Sequence, residues 1–156
     1  MATTSAGLLL YRYREGLIEV LLVHPGGPFF RRRDEGAWSI PKGECSADET
    51  GLPAALREFE EELGGPAPQP PFTSLGSVQQ AGGKTVHAWA ARGEFDVDRL
   101  SSNTFELEWP PRSGRMQRVP EVDRAGWFEI DSACRKLLPA QRTFIDRLIA
   151  VVPQKP

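Results

Sequence analysis

The chain has 156 residues, 26% charged and 40% hydrophobic, with 19 Lys+Arg against 21 Asp+Glu. That length suits one domain with a real core, and the composition excludes a disordered, collagenous or coiled-coil chain. A net charge of −2 argues against general nucleic-acid binding. No apolar run approaches the ~18 residues a membrane span needs, and the opening MATTSAGLLLYRYR lacks the basic and apolar regions of a signal peptide. Two cysteines, Cys45 and Cys134, cannot form a disulfide framework. The expectation is one cytoplasmic domain over residues 1–156, with no membrane partner.

Residues 4–13 and 17–24 are rich in Leu, Val, Ile and Tyr, and Arg14-Glu15-Gly16 between them predicts a hairpin. Residues 25–37 read as a Gly/Pro loop carrying Arg31-Arg32-Arg33. Trp38-Ser39-Ile40 reads as a short strand stopped by Pro41. Residues 53–63 read as a helix, with Leu52, Leu56, Phe59 and Leu63 as one apolar stripe. Pro53 suits a first turn, and Gly64-Gly65-Pro66 ends the helix. The Pro-rich run 64–71 reads as a loop, since neither half of the chain would make a good core alone. Strands are expected over 72–79, 84–91 and 126–130. Helices are expected over 131–137 and 140–151, with Leu137, Phe144, Ile145, Leu148 and Val152 inward. Strands interspersed with a few helices predict an α/β (α+β) fold built on a mixed sheet packed by helices.

The most informative segment is Arg57-Glu58-Phe59-Glu60-Glu61-Glu62. Glu58, Glu61 and Glu62 stand at i, i+3 and i+4 and share one helix face. Like charges so spaced destabilise an isolated helix by roughly a few tenths of a kcal/mol per pair. A divalent cation at that face would reverse the sign. Carboxylate-only ligation suits a hard ion, Mg²⁺ or Mn²⁺, rather than zinc. Arg57 precedes Glu61 by four residues and is placed to hold it by a charge-assisted hydrogen bond. Taken alone, the run would equally suit a solvated acidic helix face.

It does not stand alone. Gly43, Glu49, Arg57-Glu58-Phe59, Glu61-Glu62 and Gly64 follow one another at fixed intervals. At ~6% per residue type, a chance match in a chain this long is on the order of one in a million. The pattern resembles the Nudix box of the Nudix hydrolases, and Trp38-Ser39-Ile40-Pro41-Lys42-Gly43 resembles the segment that leads into it. The one departure is Gly65, where the box usually closes with an aliphatic residue. The resemblance implies a Nudix-type α/β/α sandwich and hydrolysis of a nucleoside diphosphate linked to another group. It implies Mg²⁺ or Mn²⁺ held by Glu58, Glu61 and Glu62 with the Gly43 carbonyl, while Arg57 and Glu49 orient the cluster. The general base differs within the family. Glu61 is the first candidate and Glu121, similar in placement to the extra metal-binding glutamate of the mutator-type members, the second. Glu106 and Glu108 compete for that distal role.

For substrate contacts, Lys42 beside the metal loop offers a point charge to a phosphate. Arg31 and Arg33 suit a polyphosphate clamp, although a solvated basic loop would look the same. Phe29, Phe30, Trp89 and Trp109 suit base stacking or plain packing, whereas Trp38 and Trp127 read as structural. The segment 104–115, with Glu106, Glu108 and Trp109, is a long polar loop of the kind that sets specificity. His24 and His87 read as packed or surface residues, and neither cysteine receives a role. The family's ADP-ribose and dinucleoside polyphosphate signatures are missing at Gln80-Ala81 and Gly82-Gly83. The expected substrate is therefore a nucleoside triphosphate, or a dinucleoside polyphosphate lacking the usual tyrosine contact. A triphosphorylated or capped RNA 5′ end and a non-catalytic nucleotide-sensing module are the alternatives. The chain is expected as a monomer or homodimer.

Overall fold

The computed structural model describes residues 4–46 and 51–153. Glu49 lies outside them. The order is β1 (Thr4–Arg14), β2 (Leu17–Pro25), β3 (Lys42–Glu44), α1 (Gly51–Leu63), β4 (Thr73–Gln79), β5 (Thr85–Arg92), β6 (Thr104–Glu108), β7 (Met116–Pro120), β8 (Val122–Glu129), α2 (Ile130–Lys136) and α3 (Arg142–Val151). The first hairpin turns on Glu15 (φ 52°) and Gly16 (φ 80°). Two successive positive φ values match the right-handed twist of the strands they join.

The main sheet runs β4-β5-β1-β2-β8, with β3 pairing to β1. Only β1 and β5 are parallel, in register from Thr4↔Thr85 to Tyr11↔Arg92, so the sheet is mixed. Side chains alternate across it with the strand period of two. Leu9, Val20, Leu22, Val86 and Ala88 face Leu137, Phe144, Ile145 and Leu148 from the α2–α3 end of the chain. Ala6, Leu8, Leu10, Leu21 and Val23 face Ala54, Ala55, Phe59 and Leu63 of α1. Helices therefore cover both faces, as an α/β/α sandwich requires. Each fully buried Leu or Phe contributes roughly 1.5–3 kcal/mol.

The paired portion of β2 leaves β1 after Tyr11↔Val20. The chain from Ser39 to Glu44 fills the widening seam, through Val23↔Ser39 contacts, a Leu8 N–H···O=C Pro41 bond (3.1 Å) and the β1–β3 ladder. Gly7 permits this, because a Cβ there would stand 2.7 Å from the Pro41 carbonyl oxygen and 2.8 Å from Lys42 Cβ.

Four expectations need correction. Trp38–Ile40 forms only isolated bridges, and the strand begins after Pro41, at Lys42. The buried face of α1 runs through Ala54 and Ala55, while Leu52 and Leu56 are half-buried, because α1 packs flat on the sheet and small residues allow close approach. The 104–115 segment is not an irregular loop. Its two ends pair as the antiparallel hairpin β6–β7, Thr104↔Pro120 to Glu108↔Met116. The strand expected at 126–130 begins at Val122, since β2 offers a longer edge than the local apolar run suggests.

Candidate active site

Glu58, Glu61 and Glu62 project from the last two turns of α1. Gly64 (φ 77°) ends that helix, its N–H bonding the Glu60 carbonyl at 2.8 Å. Two further helix-end carbonyls accept bonds from outside: Glu61 O from Asn103 N–H (2.9 Å) and Leu63 O from Ser101 N–H (3.1 Å). These bonds satisfy acceptors that a helix C-terminus would leave orphaned. Asn103 O in turn accepts from Glu121 N–H (2.9 Å), and Glu121 O accepts from Gly26 N–H (3.0 Å). Through this chain of backbone bonds Glu121, the single residue between β7 and β8, is set beside the helix.

Arg57 Nη1 donates to Glu58 Oε1 at 3.0 Å and to both Glu61 oxygens at 3.1 Å, and its Nη2 reaches the Glu44 carbonyl at 3.2 Å. The Glu58 side chain is 13% exposed and that of Glu61 40%. Glu58 lies directly over Gly43, where a Cβ would overlap its carboxylate carbon and both oxygens. A bare glycine is therefore needed for the carboxylate to lie on β3. Glu62 turns the other way and accepts from the Lys42 backbone N–H at 3.3 Å.

Burial, reinforced by Glu61, raises the Glu58 carboxyl. Burial pushes Glu62 up further, to about 8, against the opposing pull of Lys42. Lys42 moves the opposite way, lowered by burial and then by the neighbouring Lys84. Desolvation disfavours charge on both partners, which is the expected direction for a carboxyl and an amine packed together.

An open cavity of about 210 Å³ adjoins this cluster, lined by Val23, Pro25, Phe30, Ala37, Ser39, Ile40, Lys42, Glu62, Glu121, Val122 and Leu138. Its wall is mostly apolar, with an amine and two carboxyls converging at one end. That is the usual composition of a small-molecule site.

The structure thus brings together Lys42, Gly43, Arg57, Glu58, Glu61, Glu62 and Glu121. Of the remaining described candidates, Phe30 lines the cavity, whereas Phe29, Trp89, Trp109, Glu106, Glu108, Arg31 and Arg33 do not. Glu106 pairs with Arg118 across the hairpin at 3.5 Å, and Glu108 accepts from the Arg112 and Gly114 N–H groups at the hairpin end. Trp109 sits at that same end, its N–H on the Arg115 carbonyl at 2.9 Å. The Arg33 guanidinium lies 4.3 Å over the Phe29 ring, and Arg31 is exposed; neither lines the cavity. Hairpin and loop geometry, which no local motif announces, decides these placements. Two residues were not anticipated from sequence. Lys84 stands close enough to Lys42 to lower it, a proximity created by the parallel β1–β5 register. Gln141, fully buried, accepts from Ile40 N–H (2.9 Å) and donates to Ser39 Oγ (3.0 Å) and Gln80 Oε1 (2.7 Å), which fixes the cavity wall.

Among the described residues, no three His, Cys, Asp or Glu side chains already stand around one common cation position. The donor set nevertheless fits a hard cation. All candidate ligands are oxygens, and Glu58 and Glu61 already share a single cationic nitrogen, Arg57 Nη1. The Gly43 backbone leaves room for the Glu58 carboxylate to lie against it.

Comparison with known proteins bears on the same region. The family model described as NUDIX domain matches residues 1–148. A protein of Rhodospirillum rubrum named RNA pyrophosphohydrolase is 26% identical over 151 residues, 94% of this chain and 89% of that protein. Among solved structures, the binary complex of a C. elegans Ap4A hydrolase aligns with a TM-score of 0.65 at 23% identity, covering 94% of this chain and 96% of that one. The NUDIX domain of Shewanella oneidensis NrtR, solved with ADP ribose, aligns with a TM-score of 0.64 at 18% identity over 96% of this chain and 88% of that one.

Proposed function

This chain belongs to the NUDIX family and is a Nudix hydrolase, and from that premise we propose that it is a divalent-metal-dependent pyrophosphohydrolase acting on a nucleoside triphosphate or dinucleoside polyphosphate. The observation that carries the reading is the meeting of Lys42, Glu62 and Glu121 at one end of an apolar cavity, beside the Arg57-bound pair Glu58 and Glu61.

Mg²⁺ or Mn²⁺ would be held by Glu58, Glu61, Glu62 and Glu121 with the Gly43 carbonyl, and when bound would supply positive charge to the phosphate oxygens. The protein's own groups do the rest. Lys42 offers its ammonium to an anionic phosphate oxygen, and the loss of negative charge on a substrate-free carboxyl is reversed when positive charge arrives. Arg57 holds Glu58 and Glu61 in one orientation, so these carboxylates need little rearrangement. Water attacks phosphorus, the P–O bridge bond breaks, and a carboxylate takes the water's proton. Glu61 is the first candidate for that proton and Glu121 the second. The apolar wall with Phe30 suits a nucleoside, and Arg31 and Arg33 stand outside it, where a longer polyphosphate chain would extend.

An RNA 5′ end is a second reading, favoured by the relative named RNA pyrophosphohydrolase. A non-catalytic binding module is less suited to a chain that keeps Glu58, Glu61 and Glu62 together.

The test is release of phosphate and pyrophosphate with MgCl₂ or MnCl₂ across a panel. The panel holds common and oxidised nucleoside triphosphates, dinucleoside polyphosphates, ADP-ribose, NADH and triphosphorylated RNA. Turnover of one class that EDTA abolishes and Glu61→Gln removes is the expected result. Turnover unaffected by both EDTA and Glu61→Gln would refute the carboxylate-helix assignment.

A further inference from the structure

His24 lies at the end of β2, fully buried, on the sheet face away from α1. Both of its ring nitrogens are in hydrogen-bond contact. Nδ1 is 2.7 Å from Asp123 Oδ1 of β8, and Nε2 is 2.6 Å from the Arg33 backbone carbonyl. Trp38 covers the ring edge-on, with centroids 5.2 Å apart. A carbonyl oxygen can only accept, so Nε2 must carry a proton. Were the ring neutral, Nδ1 would then present a lone pair to a carboxylate oxygen at 2.7 Å. A second proton must lie on that contact.

We propose that His24 is a doubly protonated positioning residue, an imidazolium that bridges Asp123 to the Arg33 carbonyl and thereby holds the substrate-facing loop of residues 26–37 in place. The charged groups around it agree with this assignment. Asp123 is its direct partner from β8, and Arg124 Nε approaches the same Asp123 oxygen at 3.8 Å. The Arg124 guanidinium itself is spent over the Trp38 ring, at 5.3 Å. From the loop side Asp34 accepts from Trp38 Nε1 at 2.8 Å and pairs with Lys136 of α2.

The consequence reaches the cavity through Arg33. Its carbonyl is fixed on His24, its N–H bonds the Phe30 carbonyl at 2.9 Å, and its guanidinium lies over Phe29. Phe30 is part of the cavity wall. A ring with donors on opposite edges therefore spans sheet and loop, and sets where Phe30 stands. An aliphatic residue at position 24 would fill the space and leave the Arg33 carbonyl without the donor that ties it to β2.

Three measurements on the full chain test this. The chain has only two histidines, so two-bond ¹H–¹⁵N spectra of uniformly ¹⁵N-labelled protein at neutral pH resolve both rings, and His24→Gln identifies the His24 signals. Both His24 nitrogens are expected to be protonated; one bare nitrogen overturns the proposal. Trypsin should nick the Arg31-Arg32-Arg33 segment faster in His24→Leu than in wild type; equal rates overturn the loop-holding role. In the panel assay, which rests on the pyrophosphohydrolase reading, His24→Leu should raise KM about tenfold, the loss of one hydrogen bond to a charged donor, with kcat nearly kept. His24→Gln, which keeps an N–H for the Arg33 carbonyl, should restore most of that KM. A fall in kcat alone, or no rescue, overturns it. The spectra and the nicking need no substrate, so they decide the proposal even where no member of the panel is turned over. Where His24→Gln does not fold, His87→Gln on the partly exposed strand β5 assigns the remaining ring signals to His24.

Discussion

Gly43→Ala separates a chemical role of the β3 backbone from a structural one. The methyl group would overlap all three atoms of the Glu58 carboxylate, far inside the 3.4 Å at which ordinary contact begins. The backbone at Gly43 is plain strand, so alanine adds no conformational strain there. Glu58 must therefore move, and a retreat of about 1 Å or more is needed, a displacement that costs roughly 10²-fold when it falls on a reacting centre. The same shift takes Glu58 Oε1 away from Arg57 Nη1, now 3.0 Å distant. The assay is kcat and the Mg²⁺ or Mn²⁺ concentration for half-maximal rate, with a thermal melt as control. The expected result is a rate loss near 10²-fold, a weaker metal response and a nearly unchanged melt. A double-mutant cycle with Glu58→Ala sharpens it. If the methyl acts by displacing Glu58, then adding Gly43→Ala to Glu58→Ala costs little more. Full additivity, or wild-type kinetics in Gly43→Ala, would refute the reasoning.

Glu121→Gln should lower kcat by about 10² or more, the usual size of a general-base or charge contribution, whereas Glu106→Gln and Glu108→Gln should stay near wild type, because their carboxylates are held within the β6–β7 hairpin. A loss confined to Glu106→Gln would reverse that assignment. Ser5 Oγ is fully buried without a hydrogen-bond partner, so Ser5→Ala should stabilise by about 1 kcal/mol, about 2–4 °C in Tm, and a lowered Tm would contradict it. The Lys136 hydrogen bond, and then that of Trp38, holds the Asp34 carboxyl below its ordinary value. A depressed carboxyl contributes stability that is complete above the unfolded carboxylate range and is lost as pH falls through the folded value. Asp34→Asn should accordingly flatten the acid limb of Tm against pH, and an unchanged limb would show that the contact carries no stability.

Residue spacing alone determined the chemistry of α1. Glu58, Glu61 and Glu62 share a face because helical geometry is local, and Arg57 reaches Glu61 for the same reason. The strands β1, β2, β4 and β5 were legible because alternation and turn residues are local as well. Tertiary structure alone decided the rest. Whether Glu121, Glu106 or Glu108 joins the helix depends on backbone bonds from Asn103 to Glu61 and Glu121, residues far apart in the chain. Lys84, one residue before β5, comes near enough to Lys42 to lower it because β5 lies in parallel against β1. His24 reads as an ordinary packed histidine until β8 and the arginine loop bring an acceptor to each of its nitrogens. Hydrogen-bond partners and burial are set by which elements meet, and that meeting is written in no single stretch of sequence.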